Sequence, residues 1–209
     1  MPSTPLYLPS CAPAYDPQTV VQDTVRWLER AVIGLNLCPF AKGVHTKGQV
    51  HYFVSAATDA DLDTLAQDVA RELQVLSESP PEQRDTTLLV APDCLHDFLD
   101  FNDFQAVADR LLESLDLGGI LQIASFHPQF QFAGTAADDV TNCTNRTPYP
   151  TLHLLREDSI DRAVAVYPEA ETIFERNIDV LEKLGLDGWN ALDVGARCPV
   201  AHQPTQDKA

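Results

Sequence analysis

The stretch ILQIASFHPQFQFAGTAADDVTNCTNRTPYPTLHLLR (residues 120–156) decides the predicted fold, because two strand-like segments enclose a long polar loop. Residues 120–126 are mostly apolar and residues 151–156 alternate between two faces, which is typical of β-strands. Residues 127–150 show neither helical nor strand periodicity. Loops longer than about 15 residues are uncommon in compact domains and are usually functional or disordered. We therefore expect the chemistry of this protein to lie on the loop.

The segments around this stretch predict further strands and helices. Apolar runs at residues 50–56 and 87–91 indicate two more strands. Helical spacing and capping residues predict helices that begin near Asp16, Thr58, Asp93, Ser159 and Pro168. The resulting order, α-β-α-β-α-β-loop-β-α-α, predicts a single α/β or α+β domain in which a mixed four-stranded sheet packs against helices. We expect this domain to span residues 17–195, between a flexible arm (1–16) and a loose tail (196–209).

The helix boundaries follow from breakers and apolar spacing. The first helix should end at Pro39, with Cys38 at its exit, because the residue before proline avoids helical geometry. Its apolar positions, expected to form the buried face, are Val21, Val25, Leu28, Val32 and Leu35. The third helix should break near Asn102, and Gly185 should close the last one. The buried face of that last helix should include Phe174 and Asn177.

The charge of the chain excludes several classes of partner. Thirty-one acidic residues outnumber fourteen basic ones, for a formal net charge of −17, which repels nucleic acid and anionic lipid surfaces. No run of eighteen apolar residues predicts a membrane span, and the N-terminus lacks a secretory signal pattern. We expect a cytoplasmic protein without nucleic-acid or membrane partners. The acidic surface serves solubility or, alternatively, docks a basic protein.

The cysteines and the standard motifs predict neither a disulfide scaffold nor a cofactor. Five cysteines occur without a CxxC pair, which argues against paired disulfides and against a zinc knuckle. The GxGxxG, Walker and GxSxG patterns are absent from the sequence. We therefore expect no nucleotide cofactor and no closed metal site.

Two histidines are candidate catalytic residues. His127 directly follows a strand, where side chains often point into a ligand crevice, and imidazole is the natural acid–base group near neutral pH. His153 lies within the next strand and faces the loop site if the two strands pair. The alternatives are a His127 held by loop carbonyls and a His153 that is a hydrogen-bonded core residue.

Arg146, Asn142 and Asn145 are candidate substrate-binding residues on the loop. A guanidinium group binds carboxylate or phosphate in bidentate fashion, so Arg146 could create an anion site in this acidic chain. The alternative is an internal ion pair between Arg146 and Asp138 or Asp139.

Cys38 is a candidate nucleophile if folding brings it to the loop. Lys42 and His45 lie close to it in sequence and would favour a thiolate, whereas a helix C-terminus would disfavour one. The alternative is a buried, unreactive thiol.

Three functions are compatible with these residues. The first is an enzyme that acts on a small anionic metabolite, with His127 as acid–base group, His153 as its partner and Arg146 with the asparagines as the anion site. The second is a non-catalytic binding or scaffold domain with an acidic protein-contact surface. The third is a metal-dependent enzyme that uses His127 and His153.

Three motifs together resemble one known family. The segments NLCPFA (36–41), FHPQFQFAG (126–134) and TNRTPYPTLHLLRE (144–157) are similar to a mainly bacterial domain-of-unknown-function family, number 1415. The resemblance runs from about Val20 to Leu192. It implies a bacterial-type cytosolic domain whose characteristic motifs include Cys38, His127, Asn145, Arg146 and His153, and it implies no mechanism.

Overall fold

A computed structural model describes residues 15–167 and 172–196 and contains, within them, a four-stranded sheet with helices on both faces. The strands are β1 (Val50–Val54), β2 (Thr86–Val90), β3 (Leu121–Phe126) and β4 (Thr151–Arg156). The helices are α1 (Pro17–Trp27), which continues into a π-helix (Leu28–Ile33), α2 (Ala41–Thr46), α3 (Leu62–Glu78), α4 (Phe98–Ser114), a 3₁₀ helix (Val140–Asn145), α5 (Glu157–Val166) and α6 (Ile173–Ala191).

The sheet is mixed, with the order β1-β2-β4-β3. β1 and β2 are parallel and are joined through α3, whereas β4 is antiparallel to both β2 and β3. All five residues of β2 are buried, because both faces of this central strand are covered. The predicted α/β domain with a mixed four-stranded sheet is confirmed.

One face of the sheet packs against α3 and α4. Alternation along β4 directs Leu152 and Leu154 to this face, where they join Leu89 of β2 and the buried leucines of α3. Asp61 caps α3 by accepting a hydrogen bond from the backbone N–H of Thr64. This cluster is the larger of the two cores that cover the sheet.

The opposite face lies under the π-helix and its flanking segments. Leu88 of β2 packs there against Trp27, Leu28 and Val32. His153 belongs to the same face, because it lies opposite Leu88 in β2 and Ala124 in β3.

The end of the first helix differs from the prediction. α1 begins at Pro17 behind the Asp16 cap, as predicted, but the π-helix ends at Ile33 and the chain turns through Asn36, whose φ is 55°. The expected continuation to Pro39 is wrong, and the short helix α2 was not foreseen. Cys38 consequently lies in a turn before α2.

The buried side of α1 also differs from the prediction. Its buried residues are Val20, Asp23, Thr24 and Trp27. Val21 and Val25, which were expected to be buried, are only half-buried. The buried face includes the carboxylate of Asp23, which accepts a hydrogen bond from the Tyr149 hydroxyl at 2.8 Å and pairs with Arg26 at 2.8 Å. An apolar pattern cannot reveal a polar residue on the buried face.

Later helices correct further expectations. α4 runs through Asn102 without a break and is capped by Asp97 instead of Asp93. α5 begins at Glu157, and Ser159 donates its hydroxyl to Asp85 instead of capping a helix.

The last helix and the polar loop also differ from their sequence predictions. Gly185 kinks α6 at φ 66° without ending it, and Phe174, expected to be buried, is 57% exposed. The predicted irregular loop at residues 127–150 contains the 3₁₀ helix.

The predicted arm (1–16) and tail (196–209) fall almost wholly outside the described residues, as do Pro168 and Ala170. Where the chain is described, none of the helices is both long enough and apolar enough to cross a bilayer.

Candidate functional site

A cavity of about 650 Å³ opens on the sheet face beneath the π-helix. Its floor is formed by sheet residues that include Leu88, Ala124 and His153. Its walls come from the π-helix, the turn before α2, α2 and α5, and include Leu28, Val32, Cys38, Phe40, Ala41, Val44, Ile160 and Ala163. The lining is predominantly apolar, so the few polar groups in it determine how a ligand is oriented.

His153 is a polar side chain on the floor of the cavity, beside Thr86. Its Nε2 lies 2.7 Å from the hydroxyl of Thr86, and its ring centroid lies 6.0 Å from that of Phe126. The ring lies deep in the protein, and this burial lowers its pKa to about 4. His153 is therefore neutral at physiological pH, although part of it remains accessible.

Cys38 lies on the wall of the same cavity. Its turn is attached to α6, because the side-chain amide of Asn177 donates to the carbonyl oxygen of Leu37 at 2.9 Å. Burial raises the pKa of the thiol, and only the backbone N–H groups of Phe40 and Ala41 act in the opposite direction. Cys38 is therefore a neutral thiol at pH 7.

The cations expected near Cys38 do not activate it. His45 instead lies 3.1 Å from the carboxylate of Glu29 and links α2 to the π-helix. Lys42 is exposed and does not contribute to the shift in the thiol pKa.

Asn145 is the third predicted residue that lines the cavity. Its side-chain amide donates to the backbone carbonyl oxygen of Ser125 at 3.2 Å, and its backbone carbonyl oxygen accepts from the backbone N–H of His127 at 3.1 Å. These contacts hold the end of the 3₁₀ helix against β3 and bring the loop to the cavity rim.

His127 lies on the other side of the sheet and is fully buried. Its Nδ1 accepts from the backbone N–H of Gln129 at 3.0 Å, so Nε2 carries the proton and donates to the carbonyl of Leu95 at 3.0 Å. The ring packs against Phe98 and Phe101 of α4. Burial lowers its pKa, which keeps the ring neutral. Both nitrogens are thus occupied by backbone groups.

Arg146 and Asn142 hold the loop together. The guanidinium of Arg146 donates to the carbonyl oxygens of Phe130 at 3.2 Å and Ala137 at 2.6 Å. These contacts, rather than an ion pair with Asp138 or Asp139, position the arginine.

Asn142 is fully buried within the same loop. It accepts hydrogen bonds from Phe132 and Thr135 and donates one to the carbonyl of Ala136. The loop therefore satisfies its own polar groups, which is the condition for burying irregular backbone.

The structure thus divides the six predicted residues into two sets. Cys38, Asn145 and His153 converge on the cavity, whereas His127, Arg146 and Asn142 lie in the loop and its packing against α4.

Two further lining residues were not expected from the sequence: Thr86, which contacts His153, and Lys47, which is exposed. No local signal marks either residue, because only strand pairing and the packing of α2, which ends just before Lys47, bring them to the cavity.

The two histidines are not placed to share a metal ion. His127 packs against α4, whereas His153 lies on the opposite face of the sheet. Across residues 15–167 and 172–196, no group of three or more His, Cys, Asp or Glu side chains is arranged to hold a metal.

Comparison with known families identifies the chain. Neither the curated proteins nor the solved structures contain a match to it. A family model described as "Protein of unknown function (DUF1415)" matches residues 19–191, which include β1 to β4 and all of the cavity lining. The chain therefore belongs to the DUF1415 family, as the three sequence motifs predicted.

Proposed function

We propose that this domain binds a small, largely apolar molecule in the cavity lined by Cys38, Asn145 and His153. The observation that carries this proposal is the cavity itself, whose volume of about 650 Å³ lies within the range of small-molecule sites. Ligand sites are typically apolar with a few convergent polar groups, and this cavity has that composition.

The π-helix over the cavity supports the same proposal. π-helical turns are uncommon and frequently occur at functional sites. Leu28 and Val32 of this turn line the cavity, and the buried Trp27 precedes them. The irregular helical geometry is therefore found where the ligand is proposed to lie.

Binding is better supported than nucleophilic catalysis. A cysteine nucleophile needs a thiolate, which a neighbouring imidazolium usually stabilises. Burial acts against both charged forms here, since it raises the pKa of Cys38 and lowers that of His153. An enzyme activity through Cys38 stays a prediction, and so does the cytoplasmic location.

The anionic ligand expected from the sequence is less well supported. Arg146 was its proposed partner, but the guanidinium is held by two backbone carbonyls. The acidic surface of the chain remains compatible with a protein partner, but it identifies none.

The experiment that tests the proposal fills the cavity. Ala124 lies on the floor, so Ala124→Phe should block the site, whereas Ala56→Phe places the same ring at an exposed position. The probe is Nile red, a neutral apolar dye whose fluorescence rises in apolar surroundings. We expect saturable binding to the wild type and to Ala56→Phe, and at least about tenfold weaker binding to Ala124→Phe, since each 1.4 kcal/mol lost is a factor of ten.

A second cavity-filling variant keeps the test decisive if Ala124→Phe does not fold. Ala163→Phe introduces the ring from α5 and leaves the sheet unchanged. Thermal unfolding identifies which variants are folded. Unchanged dye binding in a folded Ala124→Phe or Ala163→Phe protein contradicts the proposal.

A further inference from the structure

We propose that the cavity selects ligands with a hydrogen-bond donor, a hydroxyl or N–H group on an apolar body, and that Nδ1 of His153 accepts it. This inference rests on the proposed function and names the ligand class. It follows from two linked hydrogen bonds at Thr86, which determine which nitrogen of His153 carries the proton.

The first of these hydrogen bonds is made to the backbone of β4. The Thr86 hydroxyl lies 2.6 Å from the carbonyl oxygen of Leu154 and 2.7 Å from Nε2 of His153. A hydroxyl has one hydrogen, and a carbonyl oxygen can only accept, so Thr86 donates to Leu154. Thr86 therefore accepts from His153, and the proton of the neutral ring resides on Nε2. Nδ1 is left with a lone pair.

The lone pair on Nδ1 has no partner within the described residues. The hydrogen bond to Thr86 is made by the other ring nitrogen, Nε2. Several polar side-chain atoms lack a hydrogen-bond partner and are inaccessible to solvent, but Nδ1 of His153 is not one of them. Nδ1 is therefore accessible. Because β4 lies between β2 and β3 and His153 lines the cavity, the cavity is where this atom is reached.

The other polar groups of the cavity favour the same class of ligand. One of the two side-chain N–H groups of Asn145 binds Ser125, so its side-chain oxygen can serve as a second acceptor and its other N–H as a donor. The predominantly apolar lining disfavours burial of a charged group without a partner. Two basic side chains are among the lining residues: Lys47 is exposed, and the guanidinium of Arg156 donates to the backbone carbonyl oxygens of Leu76, Ser79 and Arg84. The interior therefore complements a neutral donor better than an anion.

Calorimetry at pH 7 with three naphthalene probes distinguishes a preference for a neutral hydrogen-bond donor from a preference for an anion or for an apolar body alone. 1-Naphthol carries a donor, 1-methoxynaphthalene keeps the oxygen without the donor, and 1-naphthoate carries an anion. We expect 1-naphthol to bind about three- to tenfold more tightly than 1-methoxynaphthalene, the range for one hydrogen bond. We expect 1-naphthoate to bind more weakly than 1-naphthol.

Variants of the acceptor test the role of His153. His153→Phe keeps a ring on the floor and removes Nδ1, so the preference for 1-naphthol should disappear. Thr86→Val no longer holds the proton on Nε2, so the preference should decrease. His96→Phe, at an exposed position, is the matched control and should retain the preference.

The ¹⁵N resonances of His153 provide a readout that a structural role would not change. In the free protein, Nδ1 should have the chemical shift of an unprotonated nitrogen, and it should move towards the protonated range when 1-naphthol binds. 1-Methoxynaphthalene should not cause this movement.

The outcomes distinguish this inference from the function on which it rests. Equal affinities for 1-naphthol and 1-methoxynaphthalene overturn the donor preference and leave an apolar binding cavity. Tightest binding of 1-naphthoate overturns the donor preference in favour of an anionic head near Lys47. Failure of all three probes and of Nile red overturns both proposals.

Discussion

Replacing His127 by alanine should destabilise the fold without weakening the binding of an apolar probe in the cavity. The ring is fully buried, and its centroid lies 5.5 Å from that of Phe98 and 5.1 Å from that of Phe101. Its two nitrogens satisfy backbone groups of Leu95 and Gln129. The side chain therefore joins the polar loop and β3 to the region just before α4.

The expected loss is the sum of a packing contribution and a hydrogen-bond contribution. Truncating a buried side chain of this size to alanine costs about 2–4 kcal/mol. Each backbone group left without a partner adds up to about 1 kcal/mol where water cannot replace the ring. We expect His127→Ala to lower the free energy of unfolding by about 2–6 kcal/mol, a large part of the stability of a typical domain.

Urea denaturation followed by tryptophan fluorescence measures this loss. His127→Phe separates the two contributions, because it keeps most of the ring volume and should cost only about 2 kcal/mol for the lost hydrogen bonds. His96→Ala, at an exposed site, should change stability by less than about 0.5 kcal/mol. A loss below about 1 kcal/mol in His127→Ala, together with loss of Nile red binding, would refute the structural role and favour a ligand contact.

Two further predictions concern the cavity. Burial lowers the pKa of His153 from 6.5 to about 4, so below pH 6.5 the unfolded chain takes up a proton that the folded chain resists, and stability should fall towards pH 4 by at most about 3 kcal/mol. Urea titrations at pH 7 and 4.5 should show a smaller loss in His153→Phe, and an equal loss in both proteins would contradict this assignment. Because burial raises the pKa of the Cys38 thiol, iodoacetamide at pH 7 should alkylate it more than about threefold more slowly in the folded protein than in urea. Mass spectrometry of the Cys38 peptide measures the two rates, and equal rates would show an exposed or activated thiol.

The strands and most helices were predictable because their patterns are local. Thr151–Arg156 alternates between two faces, and Leu62–Glu78 repeats apolar residues at helical spacing. The buried face of the first helix was predicted only in part: Leu28 and Val32 are buried, but the face also includes Asp23, which accepts a hydrogen bond from Tyr149 at the far end of the polar loop. Such a contact leaves no trace in the periodicity of either segment.

The candidate site was predictable only in part. Cys38, Asn145 and His153 were chosen for their chemistry, and the structure places all three on one cavity. His127 and Arg146 were chosen on the same grounds, yet their polar atoms bind backbone groups. Residue type and position in a loop do not distinguish a side chain that faces a ligand from one that satisfies the loop itself.

By itself, the sequence determined the α/β class, the four strands and the family, because these depend on local patterns and on motifs read along the chain. Only the tertiary structure decided where the site lies. The order β1-β2-β4-β3 places His153 beside Thr86 and beneath the π-helix. His127, which directly follows the neighbouring strand β3, faces α4 instead. The physical reason is that successive side chains of a strand point to opposite faces, so long-range pairing assigns each histidine its surroundings.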